Sequence, residues 1–411
     1  MFENCYPNTL DTTVQLSTAN GKLDAFVITG DIDAMWLRDS ACQVWPYLNL
    51  AKDDPALQQL FRGVIGRQAR SILLDPYANA FLADPQSKKA LSWALNDQTE
   101  MRPGVAERKW EIDSLCYCVR LAHGYWQATG DSAPFDANWA KAMRLVLSTF
   151  REQQRRNGPG SYRFQRRTET PTDTQALGGY GNPARPVGLI YSMFRPSDDA
   201  CLYPLFVPAN LFASVSLTQL SQMAVDVLRD PAFATDCRAL ADELDRALVA
   251  YGQIFDPQFG EIWAYEVDGF GNTLFMDDAN VPSLLALPYL GCCATNDPVY
   301  QRTRARVLSD TNPYFFKGAA AEGVGGPHVG MDMIWPISVI IRAFTSSDDR
   351  EIRQCLAWIK ATHAGTGFIH EAFHKDKPEQ FTRGWFAWAN SLFGELIIKL
   401  SKEHPHLLSA A

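Results

Sequence analysis

From Asn210 to Val225 the chain passes through a full helix length without one charged side chain. Within and just beyond that run, Ala213, Leu217, Leu220, Ala224 and Val227 recur at intervals of four and three. That is the spacing of one face of an α-helix. A helix apolar around most of its circumference is buried on most sides. Five further segments share the same grammar, a polar or aromatic motif followed by a nearly uncharged run. They begin near Ser40 (ACQVWPYLNLA), Ser114 (LCYCVRLAHGYWQA), Pro282 (SLLALPYL), Met333 (IWPISVIIRAF) and Trp388 (ANSLFGELIIKL).

A second kind of helix lies between these runs. In 231–250, Cys237, Leu240, Ala241, Leu244 and Leu248 form one apolar stripe, and Arg238, Asp242, Glu243, Asp245 and Arg246 cover the other side. That is a surface helix with one buried face. Asp54-Pro55, Asp230-Pro231 and Asp297-Pro298 read as starts, with aspartate as N-cap and proline in the first turn. Asp131 with Pro134, and Asp348-Asp349, mark two more. Alternating inner and outer helices close most naturally into a ring. The expectation is an all-α fold, an (α/α)6 six-hairpin barrel, in one catalytic domain spanning 1–411. Only five outer helices are visible, so the sixth is expected before residue 1 or missing. The Gly-, Pro- and Thr-rich stretch 156–197 reads as a long functional loop, and 261–275 as a β-hairpin around Asp268-Gly269 and Gly271-Asn272.

Composition narrows the function. The chain has 411 residues, 46% hydrophobic, and a net charge of −8 with no Lys/Arg block, which argues against a nucleic-acid partner. No run of 18 apolar residues predicts a membrane span. The nine cysteines lack zinc-site spacing and read as reduced core thiols, with no signal peptide at the start. The expected location is the cytoplasm; the oligomeric state is left open.

If the inner helices run parallel, their polar leading motifs gather at one end. Carboxylates, amides, an arginine and the indoles of Trp36, Trp335, Trp385 and Trp388 would then line one pocket. Sugars suit such a lining, because their C–H faces stack on aromatic rings and their hydroxyls need polar partners. Taken singly, Asp39 and Asp113 also read as helix caps, and the tryptophans as core. There is no P-loop, dinucleotide fingerprint or nucleophile elbow. "GVGGPHVG" (323–330) reads as a place where backbone approaches a ligand closely.

Two motifs look chemical. "FRPSDDA" (194–200) sets Asp198 beside Asp199, and like charges hinder each other's ionisation. "GFIHEAFH" (367–374) sets Glu371 between His370 and His374. Glycoside hydrolysis needs one protonated and one ionised carboxyl. Metal binding is the rival for Asp31-x-Asp33 and for His370/His374, but the latter lack the HExxH order. No metal or other cofactor is expected.

"GDIDAMWLRDSACQVWPYL" (30–48), "EIDSLCY", "FRPSDDA", "MDDANVPSLLALPYLG", "GGPHVGMDMIWPISVI" and "GFIHEAFH" together closely resemble glycoside hydrolase family 125. The resemblance runs in order from about residue 3 to 400. It implies an exo-acting α-1,6-mannosidase on an α/α six-hairpin barrel, acting without metal and with inversion on mannose-containing oligosaccharides such as N-glycan fragments. It also implies a general acid in the "RPSDDA" motif and a general base in "IHEAFH". Carried onto this chain, the base is Glu371 and the acid Asp198, with Asp199 as alternative. Arg38 and Asp39 resemble clamps on sugar hydroxyls. Asp113, Asn280, His328, Asp332 and His370 join them as candidates, with Trp36, Trp335 and Trp385 as stacking walls and Arg195 orienting the acid. The family usually carries more sequence ahead of "ENCYPNTLDTTV".

Competing readings are another inverting glycosidase of the glucosidase or trehalase type, a magnesium-dependent terpenoid cyclase, and a catalytically dead sugar-binding protein. The cyclase wants DDxxD, whereas Ala200, Cys201 and Leu202 follow Asp198-Asp199.

Overall fold

The aspartates read as outer-helix starts do cap helices. Asp54 Oδ1 accepts from Ala56 N at 2.8 Å and Leu57 N at 3.2 Å, opening helix Pro55–Leu74. Asp230, Asp297 and Asp348 do the same for Pro231–Ala247, Pro298–Val307 and Asp349–Ala361. The start placed at Asp131 and Pro134 lies a turn later: Asp136 caps Ala137–Gln153, and Asp131 instead accepts from Arg62 and Tyr125.

The structure, a computed structural model, describes residues 1–19 and 21–408. Twelve α-helices and seventeen short strands are found among them. They fall into two compact units, Val14–Gly252 with Glu266–Thr273, and Met1–Thr13 with Gln253–Tyr265 and Leu274–Ala411.

The first unit is three helix hairpins. Leu37–Val44, Ile112–Thr129 and Val207–Asp226 pack side by side, and each has an outer partner in Pro55–Leu74, Ala137–Gln153 or Pro231–Ala247. From Ile112 to Ala122 every side chain is buried, as an all-round apolar helix requires. A three-stranded antiparallel sheet joins Met35–Trp36, Ala80–Phe81 and Val105–Glu107, with Ala80–Phe81 in the middle. It brings the start of helix Leu37–Val44 alongside Asn79 and Glu107. An unanticipated hairpin, Val14–Ala19 with Lys22–Val27, lies on helix Pro55–Leu74. Gly63 permits the approach, since a Cβ there would stand 2.9 Å from the Ala25 Cβ.

In the second unit, Pro336–Phe344 packs on Asp349–Ala361 and on Ala387–Glu403. The chain opens with helix Phe2–Thr12, which packs on Ala387–Glu403. A sixth partner helix is therefore present within the chain, contrary to the sequence reading. Pro7, the sixth residue of the helix, disfavours it locally by removing one interior backbone hydrogen bond. The run after Pro282 is not a helix but a chain of turns. Pro288 has no amide hydrogen for a helical bond, and Asp277 accepts from Leu284 N and Leu285 N at 2.8 and 3.0 Å. The hairpin around Asp268–Asn272 is present, with Glu266–Val267 paired to Thr273–Leu274, but Gly260–Trp263 pairs backwards, with Gln253–Asp256.

The inner helices begin differently from the outer ones. Their N-cap residues are Trp36, Glu111, Phe206, Trp335 and Phe386, none of which makes a side-chain cap bond. Asp39 and Asp113 sit inside first turns rather than at the caps. Their carboxylates are thus left for other partners.

Candidate active site

In the first unit, the polar leading motifs converge on one buried ionic cluster. Arg38 Nη1 donates to Glu111 Oε2 at 2.7 Å and to Asp113 Oδ2 at 3.1 Å, with Asp39 Oδ2 3.5 Å from its Nε. All four side chains are buried. Burial pushes Glu111 well above the usual carboxylate range; Arg38 opposes this, while the neighbouring Asp198 and Asp113 add to it. Burial likewise raises Asp113 to about 6 against the pull of Arg38. Asp113 Oδ1 has no hydrogen-bond partner among the described residues, the condition of an acceptor awaiting a donor.

The loop carrying the paired aspartates is drawn tight. Phe194 bridges Ala200, Arg195 N donates to Asp199 O at 2.8 Å, and Asp198 N to Arg195 O at 2.9 Å. Asp198 takes a left-handed backbone, φ +69°, which aspartate and asparagine tolerate better than most residues. Its Oδ1 accepts from Asn79 Nδ2 at 3.2 Å, its carboxyl hydrogen-bonds Glu111, and its carbonyl takes Lys109 Nζ at 2.8 Å. Asp199 lies buried beside Ser197 Oγ, at 3.4 Å. Arg195 donates through Nε to the buried Glu266 at 2.6 Å. The other Glu266 oxygen accepts from Leu202 N and Tyr203 N, so Arg195 braces the loop. Trp36 is buried against Ala34, Ala80, Leu82 and Ala106.

In the second unit, Glu371 is mostly buried at the edge of the small sheet. Its N donates to Thr382 O at 3.3 Å, and its Oε1 stands 3.4 Å from Arg383 Nη1. The His370 ring stacks on Phe381 with centroids 3.7 Å apart, and its Nε2 lies 3.3 Å from both Thr366 Oγ1 and His363 O. Burial lowers its pKa, so it is a neutral imidazole near pH 7. Trp335 is buried with no hydrogen-bond partner for Nε1 among the described residues, and its ring is 6.3 Å from that of the exposed His328. Asn280 donates through N and Nδ2 to Asp278 Oδ1 at 3.0 and 3.2 Å. Asp332, half-buried with φ +67°, pairs with Lys375 at 2.7 Å. Trp385 Nε1 donates to Asn8 Oδ1 in the first helix at 3.2 Å.

Three of the glycines in 323–330, Gly323, Gly325 and Gly326, stand close against protein atoms, while Gly330 faces open space. A Cβ on Gly325 would stand 2.2 Å from Met333 O, and one on Gly326 3.1 Å from the Asp278 carboxylate. Asp31 and Asp33 lie exposed. A group able to hold a cation lies at Asp349, His404 and His406, joining the first turn of helix Asp349–Ala361 to the turn Pro405–Leu407.

Three polar residues of the acid cluster escaped the sequence reading: Asn79, Glu107 and Glu111. Asn79 Nδ2 reaches Glu107, Glu111 and Asp198 at 3.0, 3.5 and 3.2 Å. Glu111 stood in the quoted "EIDSLCY" beside Asp113, and the paired acids were the available signal. Nothing local marks Asn79.

A family model for metal-independent α-mannosidases of glycoside hydrolase family 125 matches residues 1–398. The meiotically up-regulated gene 157 protein of Schizosaccharomyces pombe is 43% identical, over 99% of this chain and 83% of its own length. A solved structure from Streptococcus pneumoniae, a metal-independent α-mannosidase in a non-productive complex with α-1,6-mannobiose, is 42% identical. It superposes with a TM-score of 0.92, over 97% of this chain and 92% of that one. A glycosidase solved with glucose shares 12% identity and a TM-score of 0.60 over 97% of this chain and 96% of that one, a likeness of fold alone. With the family model matched from end to end and a relative above 40% identity, this chain belongs to glycoside hydrolase family 125, the metal-independent α-mannosidases.

Proposed function

We propose that the protein is an exo-acting α-1,6-mannosidase. It releases terminal mannose from α-1,6-linked mannosides of the N-glycan type, without a metal and with inversion at the anomeric carbon. Asp198 protonates the departing oxygen, and Glu371 accepts the proton of the attacking water. Arg38, Asp39 and Asp113 hold hydroxyls of the terminal mannose. Asn280, His328, Asp332, Trp335, His370 and Trp385 complete the pocket with Trp36, and Arg195 braces the acid loop. The carrying observation is the Asp198–Glu111 contact inside a buried carboxylate cluster. Two such carboxyls cannot both ionise cheaply, so the pair retains a proton that it can deliver to a leaving group. Asp198 is the member of the aspartate pair that hydrogen-bonds Glu111. The α-1,6 linkage is supported by the mannobiose held by the Streptococcus pneumoniae relative.

The same reading takes the chain as one catalytic domain on an (α/α)6 barrel, supported by the unbroken family match and the alternation of buried and amphipathic helices. A reducing, cytoplasmic setting is supported by nine cysteines without a disulfide. No helix among the described residues is long and apolar enough to cross a membrane.

Proton NMR of α-1,6-mannobiose hydrolysis in the presence of a chelator tests the reaction. β-Mannose is expected first, at an undiminished rate. First release of the α anomer, or loss of the rate to the chelator, overturns the proposal.

A further inference from the structure

Trp93 has no part in the roles assigned above, yet it is wired to the acid. It sits in the turn Ser92–Asn96 with 39% of its surface exposed, whereas tryptophan is highly buried on average. Its Nε1 donates to Glu107 Oε1 at 3.1 Å. Glu107 is buried and accepts Asn79 Nδ2 on its other oxygen at 3.0 Å. The same Asn79 nitrogen reaches Asp198 Oδ1 at 3.2 Å. Three hydrogen bonds therefore connect a solvent-exposed indole to the carboxyl that delivers the proton.

The indole is also held still. Leu91 packs on the apolar cluster behind Trp36. The residues after the turn, Asp97–Gln98, pair with Gln165–Arg166. Arg166 clamps Asp97 and Glu107 together, with bonds of 2.6 and 3.1 Å. An aromatic ring fixed at one edge and partly in solvent offers a preformed stacking surface for the C–H face of a pyranose.

Chemistry says which pyranose. A general acid protonates the oxygen that leaves with the second sugar, so that sugar must lie beside the acid. We propose that Trp93 is the platform on which the leaving-group sugar stacks, a second subsite that makes the enzyme select a glycosidic over a small leaving group. This inference rests on the reading of Asp198 as the acid.

The test compares α-1,6-mannobiose with α-mannosyl fluoride, which has no sugar in that place. The ratio of kcat/KM for the disaccharide to that for the fluoride is expected to fall roughly ten- to thirty-fold in Trp93→Ala. Trp93→Leu, which refills the volume without a flat face, is expected to show the same fall. Trp93→Phe, which keeps a face, should lose much less. Leu95→Ala, on the same turn and 72% exposed, is the control with an unchanged ratio. An unchanged ratio in Trp93→Ala and Trp93→Leu overturns the proposal, as does an equal loss on both substrates, which would make Trp93 a brace for Glu107. Asp198→Asn on the same substrates tests the underlying reading separately. An acid variant spares the fluoride, which departs without a proton, so equal loss on both would remove the acid assignment whatever Trp93 does.

Discussion

The two candidate catalytic carboxyls live in opposite surroundings. Asp198 meets a second carboxyl, Glu111, with Asp113 close by and Arg38 as the balancing charge. Glu371 meets a guanidinium, Arg383, at 3.4 Å. A carboxyl crowded by its own kind is suited to keep a proton, whereas Glu371 has a cation for its neighbour. Pairs of acids divided in this way are how one fold runs acid and base chemistry at a single pH. The contrast is in keeping with the roles proposed above for the two residues.

The sharpest way to break the contrast is to neutralise each side. Asp198→Asn and Glu371→Gln should each lower turnover of α-1,6-mannobiose by about a thousand-fold or more. Asparagine fits the left-handed backbone at 198, so the melting temperature should hold. Steady-state rates with a thermal scan on the same samples decide, and a near-normal rate in either variant ends the assignment.

A smaller effect is expected at Glu111. Glu111→Gln removes the like charge that helps the pair keep its proton, so the alkaline limb of the pH–rate profile should move to lower pH, with a loss of about ten-fold at neutral pH. A limb that stays in place would show that Glu111 does not share the acid's proton.

A further effect concerns stability rather than rate. Asp113 is raised from an ordinary 3.8 to about 6. Below about pH 4 both folded and unfolded chains hold this proton. Between about pH 4 and 6 only the folded chain does, so its contribution to stability is lost as pH rises through that window. The loss is at most about 3 kcal/mol. Urea midpoints measured from pH 4 to 7 should fall less steeply in Asp113→Asn than in the parent. Parallel curves would mean that Asp113 stays ionised in the folded protein.

What could be read from the sequence was whatever local physics decides. The Asp-Pro starts were legible because a capping aspartate acts within three residues of itself. The charge-free run after Pro208 was legible because burial on all sides leaves no other composition. The failures share an opposite cause. The run after Pro282 had helical composition, but Pro288 and the Asp277 carboxylate committed its amides to turns. Helix Phe2–Thr12 depends on Ala387–Glu403, across which Tyr6 fits only because residue 394 is glycine. In the site, Arg38, Asp39 and Asp198 stood in recognisable motifs. Asn79 gains its meaning from bonds to residues 28 and 119 positions away, and Trp93 and Glu107 from a bond 14 positions apart that follows no helical or strand period.

The same remoteness bears on how the protein is made. The Arg195 brace is Glu266, 71 residues downstream, and Glu266 rejoins the first unit only after the chain has passed through part of the second. As the polypeptide leaves the ribosome, amino end first, the aspartate loop therefore waits without its strut until the ribosome has moved well past codon 266. Catalytic competence is a late event in synthesis, and a fragment ending at Gly252 would carry every residue of the loop while lacking the carboxylate that gives it shape.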